Sequence, residues 1–147
     1  MIKIIRLTTP AIFSVPQIQA FFLQAARDAK YPNPEDVVDV LARESAMPGS
    51  QILIGFEDEV PVAVTVTMLP GSPLMLLPQV VMAYNKGTRA MTSGLMSEIK
   101  SFLQDWGWKK FHCVNLSDHD DKTYARAYRS LGELTKKNSI MEFEIKD

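Results

Sequence analysis

Apolar residues along this 147-residue chain fall into two rhythms. A period of two marks strands, and a period near 3.6 marks one face of a helix. "MIKIIRL" is short, β-branched and apolar, and predicts an N-terminal strand that "TTP" breaks. From Pro16 to Ala29, apolar residues stand at Ile18, Phe21, Phe22, Ala25, Ala26 and Ala29, a helical face that "YPNP" ends. Asn33 then has the chemistry of an N-cap, with Pro34 at the first helical position and Glu35 and Asp36 suited to a positive helix start. A second helix is expected to run to about Ser45 on Val37, Val38, Val40 and Leu41.

"QILIGFE" and "PVAVTVTML" read as strands joined by a hairpin at "DEVP". Alternation puts Val62, Val64 and Val66 on one face and Ala63, Thr65 and Thr67 on the other. "LMLLPQVVMAY" predicts a further strand, in which Pro78 signals a bulge or an edge. Met91, Leu95, Ile99, Phe102, Leu103 and Trp106 mark a long amphipathic helix closed near Gly107, with Trp106 expected in the core. "KKFHCVNL" is a strand, "KTYARAYRSL" a short helix ending at Gly132, and "SIMEFEIK" a terminal strand. The order is β, α, α, β, β, β, α, β, α, β. It predicts a mixed α/β fold of about six to seven strands with helices on both faces, and a parallel crossover through residues 76–116.

Composition narrows the function classes. Length suits one domain over residues 1–147, and 46% apolar with 22% charged residues suits an ordinary core. A net charge of −1 gives no reason to expect nucleic acid. Cys113 stands alone, which excludes an internal disulfide and a cysteine-ligated zinc site. No apolar run approaches the roughly 18 residues of a membrane span, and "MIKIIRL" lacks a signal-peptide pattern, so a cytoplasmic protein is expected. His119 in "SDHDD" stands among acids, but that pattern is more simply a solvated helix start than a metal site. His112 and Cys113 alternate on a strand and so do not form a pair; His112 reads as a partly buried structural histidine.

Two stretches carry a resemblance. "YARAYRSLGEL" is similar to a segment of the GNAT superfamily of acyl-CoA-dependent N-acyltransferases, with Tyr128 four residues before Gly132. The element order also resembles that fold over nearly the whole chain. The resemblance implies that Tyr128 acts as general acid toward a departing CoA thiolate. Glu133 stands where the family has an aromatic residue.

"AYNKGTRAMTSGLM", residues 83–96, resembles the family's acyl-CoA loop, (Gln/Arg)-x-x-Gly-x-(Gly/Ala), between a strand and the long helix. One alignment, counted back from Gly107, places Gly87, Ala90 and Thr92 in the key positions; it keeps the helix length natural and is preferred. The other places Gly87 at the central glycine and Tyr84 at the first position, with Arg89 where a small residue belongs. In both the motif is degenerate. The resemblance implies acetyl-CoA as co-substrate, held by backbone from Met82 through Tyr84, Lys86, Gly87, Thr88, Arg89, Ala90 and Met91 to Thr92, with its diphosphate at the helix start. Lys86, Thr88 and Arg89 offer side-chain contacts to phosphate, where the plain alternative is a solvated basic turn. By the family's spacing Asp121 takes the position of a CoA-contacting asparagine, whereas Asn115 stands thirteen residues before Tyr128, too far for it.

The strand before the loop has no acid; Gln79 suits only the positioning of water, and Glu57 is a weak general-base candidate. Two functions follow as expectations. One is acetyl transfer to a primary amine, with Tyr128 as acid and a bulge at Pro78 opening an oxyanion site. The other is a non-catalytic binding or assembly module, similar to the degenerate GNAT-like domains of tailed bacteriophages, some of them virion proteins. Met68, Leu69, Leu74 and Met75 suggest an apolar edge suited to homodimer pairing.

Overall fold

A computed structural model describes residues 1–71, 76–113, 125–133, 144 and 146. The expected mixed α/β architecture is present. Strands β1 (Ile2–Leu7), β2 (Ser50–Glu57), β3 (Val60–Met68), β4 (Gln79–Asn85) and β5 (His112–Cys113) form one sheet in the order of the chain. Helices α1 (Pro16–Asp28) and α2 (Pro34–Glu44) lie between β1 and β2, and α3 (Arg89–Asp105) joins β4 to β5. A 3-10 turn over Pro10–Ser14 precedes α1, and residues 125–127 are helical. Five strands is fewer than expected; the "SIMEFEIK" strand lies almost wholly outside the described residues. Pairing is antiparallel from β1 to β4 and parallel between β4 and β5, as the passage through α3 requires.

The sheet is buried on both faces. On one, Ile52, Ile54, Val64, Val66 and Met82 pack against Phe21, Phe22 and Ala25 of α1 and Val38 and Leu41 of α2. On the other, Leu53, Ala63 and Val80 pack against Met91, Leu95, Ile99, Phe102 and Leu103 of α3. Val62 breaks the expected alternation. The β2–β3 register pairs Gly55 with Ala63 and Phe56 with Pro61, so Val62 is the extra residue of a bulge and joins the α3 face.

Three further expectations are corrected. Trp106 is 53% exposed. α3 ends one residue earlier, and Gly107 at φ +79 closes it with paired bonds, its own amide to the Gln104 carbonyl and that of Trp108 to Leu103. This reversal turns Trp106 out and brings Trp108 against the α3-side core instead. Val40 faces solvent, because α2 buries only the narrower stripe through Val38 and Leu41. Met68 and Leu69 are half-buried, one in each core, so they form no exposed edge; Leu74 and Met75 lie outside the described residues. Asn33 occupies the N-cap position of α2, though its side chain makes no capping bond. Among the described residues, no helix is long and apolar enough to cross a membrane.

The β2–β3 connection is the tight hairpin expected at "DEVP". Its central residues Asp58 and Glu59 have φ +49 and +69, the left-handed pair of a type I′ turn. Asp tolerates that region; Glu has no local compensation for it. Glu59→Gly should stabilise the fold by about 1 kcal/mol, raising the thermal midpoint by roughly 3 °C. An unchanged or lowered midpoint in a calorimetric scan would contradict this account of the turn.

Candidate functional site

The β4–α3 turn is built from the end of a strand ladder. The Lys86 amide donates to the Val62 carbonyl at 2.9 Å, which extends the β3–β4 pairing one residue past Asn85. That parity turns the main-chain groups of Ala83 and Asn85 away from β3. Residue 81 is the extra one in β4, since Val66 pairs with Met82 and Thr67 with Val80. The bulge therefore stands at Val81, three positions beyond Pro78, which precedes the strand. The Pro78 carbonyl accepts from the His112 amide at 2.8 Å and so starts the β4–β5 pairing, described for Gln79 and Val80 only. Gln79 sits half-buried at the head of β4.

After Lys86 the chain turns over its own side chains. The Gly87 amide donates to Asn85 Oδ1 at 2.7 Å. Asn85 Nδ2 donates to the Thr88 carbonyl at 3.0 Å and to Thr92 Oγ1 at 2.8 Å. One amide thus braces both sides of the turn. The Thr88 amide and hydroxyl both donate to Glu57 Oε1, at 2.7 and 2.8 Å. A Cβ on Gly87 would meet Glu57 Oε1 at 2.5 Å and Val62 Cγ2 at 2.8 Å, so a side chain there would have to displace the carboxylate and press on Val62. Thr88 is the N-cap of the 17-residue α3, and Met91 donates back to its carbonyl at 3.2 Å. The amides of Arg89 and Ala90 have no partner among the described residues. Lys86 and Arg89 are exposed, and neither makes an ion pair among the described residues.

The structure thus gathers Lys86, Gly87, Thr88, Arg89, Ala90 and Thr92 around one helix start. Met91 is fully buried under the sheet, and the Met82 side chain belongs to the α1-side core. Asp121, Asn115 and His119 lie outside the described residues. Tyr128 is buried, its ring 5.9 Å from Phe111 and beside Cys113 of β5. Burial pushes the Cys113 thiol up, and the hydrogen bond with Tyr128 works the other way. His112 is exposed rather than partly buried, because it stands on the face of β5 opposite Cys113. No group of metal-ligating side chains exists among the described residues.

Sequence reasoning missed the polar seam between α1 and β4. Tyr84 donates to Asp28 Oδ2 at 2.6 Å, Gln24 donates to Asp28 Oδ1 at 2.8 Å, and the Lys86 ammonium stands 5.7 Å over the Phe21 ring. Tyr31 donates to the carbonyl of the bulge residue Val81 at 3.1 Å. Burial, then the Asp28 bond, pushes the Tyr84 phenol up to about 12. The Tyr84 bond, more than the Gln24 bond or the charge of Lys86, holds the Asp28 carboxyl below its usual range. Only spacing was available to the eye here: Asp28 ends an apolar helical face, where it reads as solvated.

The sequence matches no protein-family model, and no curated protein is significantly similar to it. Solved structures are similar over almost the whole chain. A ribosomal-protein-alanine N-acetyltransferase from Brucella melitensis biovar Abortus 2308 has a TM-score of 0.66 at 14% identity, covering 97% of this chain and 100% of that one. A predicted acetyltransferase from Clostridium acetobutylicum, solved with acetyl-CoA, has a TM-score of 0.66 at 10% identity over 98% and 96%. The aminoglycoside 6'-N-acetyltransferase from Acinetobacter baumannii has a TM-score of 0.66 at 13% identity over 99% and 100%.

The raised phenol gives a direct check. In a phenolate absorbance titration, the signal lost on Tyr84→Phe should centre near pH 12. Asp28→Asn should move it toward 10 without reaching it, since burial is the larger cause. Because the folded value lies above the unfolded one, the Tyr84 contribution to stability is complete below pH 10 and is lost as pH rises through about 12. A Tyr84 signal centred at 10 in the unsubstituted chain would remove the seam.

Proposed function

We propose, from a chain that has the GNAT fold, an N-acetyltransferase that moves an acetyl group from acetyl-CoA to a primary amine. The observation that carries this reading is the full-length likeness to acetyltransferases, one of them solved with acetyl-CoA, together with a bulged β4 running into a helix start. The residues at that start suit a diphosphate: the Arg89 and Ala90 amides point no bond elsewhere among the described residues, and Lys86 and Arg89 add positive charge. When bound, acetyl-CoA supplies an activated thioester.

The chain's own groups take the remaining roles. The bulge at Val81 shifts the β4 main chain out of strict register, and the amide of Ala83 on the side away from β3 is the donor suited to a developing oxyanion. Attack by the amine on the acetyl carbon breaks the carbon–sulfur bond, and Tyr128 gives its phenolic proton to the thiolate. The amine's own proton leaves to water. The α1–β4 seam, with Asp28 and Tyr84, lies on the sheet face of α1 and α2, where an acceptor approaching β4 would meet it.

One observation favours a second reading, a non-catalytic GNAT-like binding or assembly module of the kind found among phage virion proteins. The amides of Lys86, Gly87 and Thr88 are already committed to Val62, Asn85 and Glu57, and the Tyr128 hydroxyl is out of contact with solvent. Calorimetric titration with acetyl-CoA separates the two, since no heat and no thermal shift at millimolar ligand would leave only the module.

Two substitutions test the roles. Tyr128→Phe should lower kcat by roughly a hundredfold with little change in KM; unaltered turnover would remove the general-acid role. Arg89→Ala should weaken CoA binding roughly threefold at low salt and hardly at all at high salt, the signature of an exposed charge facing phosphate. A salt-independent loss would point to packing instead.

A further inference from the structure

The β4–α3 turn already holds an anion, and the chain supplies it. Glu57 is the last residue of β2, fixed by pairing with Val60 and by the left-handed turn at Asp58 and Glu59. Its Oε1 takes two hydrogen bonds from Thr88, from the amide at 2.7 Å and from the hydroxyl at 2.8 Å. It lies against the one glycine of the turn, where a side chain would collide with it. It faces the start of a 17-residue helix, the end whose dipole favours negative charge. No lysine or arginine pairs with it among the described residues; Thr88, the helix start and, at longer range, the Met1 ammonium held by Asp58 offset its charge. Each of these features is what a ligand phosphate would require.

We propose that Glu57 is an internal surrogate for that phosphate: its carboxylate fills the anion seat of the turn, and the diphosphate of acyl-CoA binds by displacing it. The proposal rests on the acyl-CoA reading above and adds the group that regulates access. Three features make the exchange feasible. Glu57 is half-buried and its bonds to Thr88 lie in the exposed part of the turn, so leaving does not strand a charge in the core. The Arg89 and Ala90 amides stand one and two residues beyond Thr88 without partners among the described residues, so an incoming anion finds contacts before the carboxylate has gone. Arg89 borders the seat without an ion pair of its own among the described residues, which favours a polyanion over a single carboxylate, whereas the Lys86 ammonium lies over Phe21 on the α1 side. The seat is open only for the fraction of time that Glu57 is out of it, and the observed Kd exceeds the intrinsic one by the reciprocal of that fraction.

The test uses the full chain, CoA, pantetheine and inorganic pyrophosphate. Glu57→Gln keeps the shape and removes the charge; Glu57→Ala empties the seat. Both variants should bind CoA about tenfold more tightly than the unsubstituted chain, while pantetheine, which has no diphosphate, binds all three alike. Equal or weaker CoA binding in both folded variants would overturn the proposal and make Glu57 a brace of the turn. If CoA binds none of the three, the transferase reading fails, and the surrogate is judged on pyrophosphate alone. A pyrophosphate-dependent shift of the Thr88 amide resonance, at lower concentration in the variants than in the unsubstituted chain, then upholds it. No shift, or the same midpoint in all three, sinks it. The unsubstituted chain also reports without either variant: pyrophosphate that never perturbs Thr88 overturns the exchange.

Discussion

Register between β3 and β4 governs where the chemistry of this chain can sit. Six residue pairs, four on one side of the bulge and two on the other, align these strands, and the Lys86 amide on the Val62 carbonyl closes the ladder. That closing bond determines the residue at which β4 stops and the direction in which the chain leaves it. A slip of β4 by one residue would carry Met82 and Tyr84 from the α1-side core to the α3 side. Both faces of the sheet are packed, so neither face tolerates the exchange. The position of the α3 start is therefore enforced by burial many residues away, and the turn inherits its geometry from the sheet rather than from its own glycines.

This explains how a turn with one glycine remains well formed. In a glycine-rich loop, the backbone reaches a ligand without side chains in the way. Here Ala90 and Thr92 stand in place of small or glycine positions, and the bond-making is done by side chains. Asn85 satisfies the Gly87 amide and the Thr88 carbonyl and reaches Thr92 inside α3, which ties the strand end to the first helical turn. Gly87 is kept at the one point where a carboxylate presses on the backbone. Polar groups at a helix start need partners whether or not a ligand is present. The chain meets that need internally at Gly87 and Thr88, while the Arg89 and Ala90 amides have no partner among the described residues.

Much of this was legible in the residues. The helical faces of α1 and α3 were visible as period, and the stop at Gly107 as a glycine after the last apolar position. What escaped notice has common physical causes. Trp106 matched the apolar stripe, yet the reversal at Gly107 gave its place to Trp108, a substitution that period alone does not register. Pro78 advertised a bulge, but a bulge depends on the partner strand, and the extra residue proved to be Val81 opposite Val66 and Thr67. Val62 left its expected face for the same reason. Glu57 and Thr88 are 31 positions apart, and Asp28 and Tyr84 are 56 apart. Contacts at that separation follow from strand order, which no local pattern contains.

The two sides of β4 apply one rule. On the α1 side, Tyr31 covers the carbonyl that the bulge at Val81 releases from the ladder, and Tyr84 spans to Asp28. At the turn, Glu57 covers the amide of Thr88, the N-cap of α3. At these two points a main-chain group is matched by a side chain from a neighbouring element. A bulge frees main-chain groups only if something else accepts them, because an unpaired buried amide or carbonyl costs far more than a hydrogen bond exchanged with another partner. Pre-filled polar positions therefore let the strand keep its irregular shape without collapse.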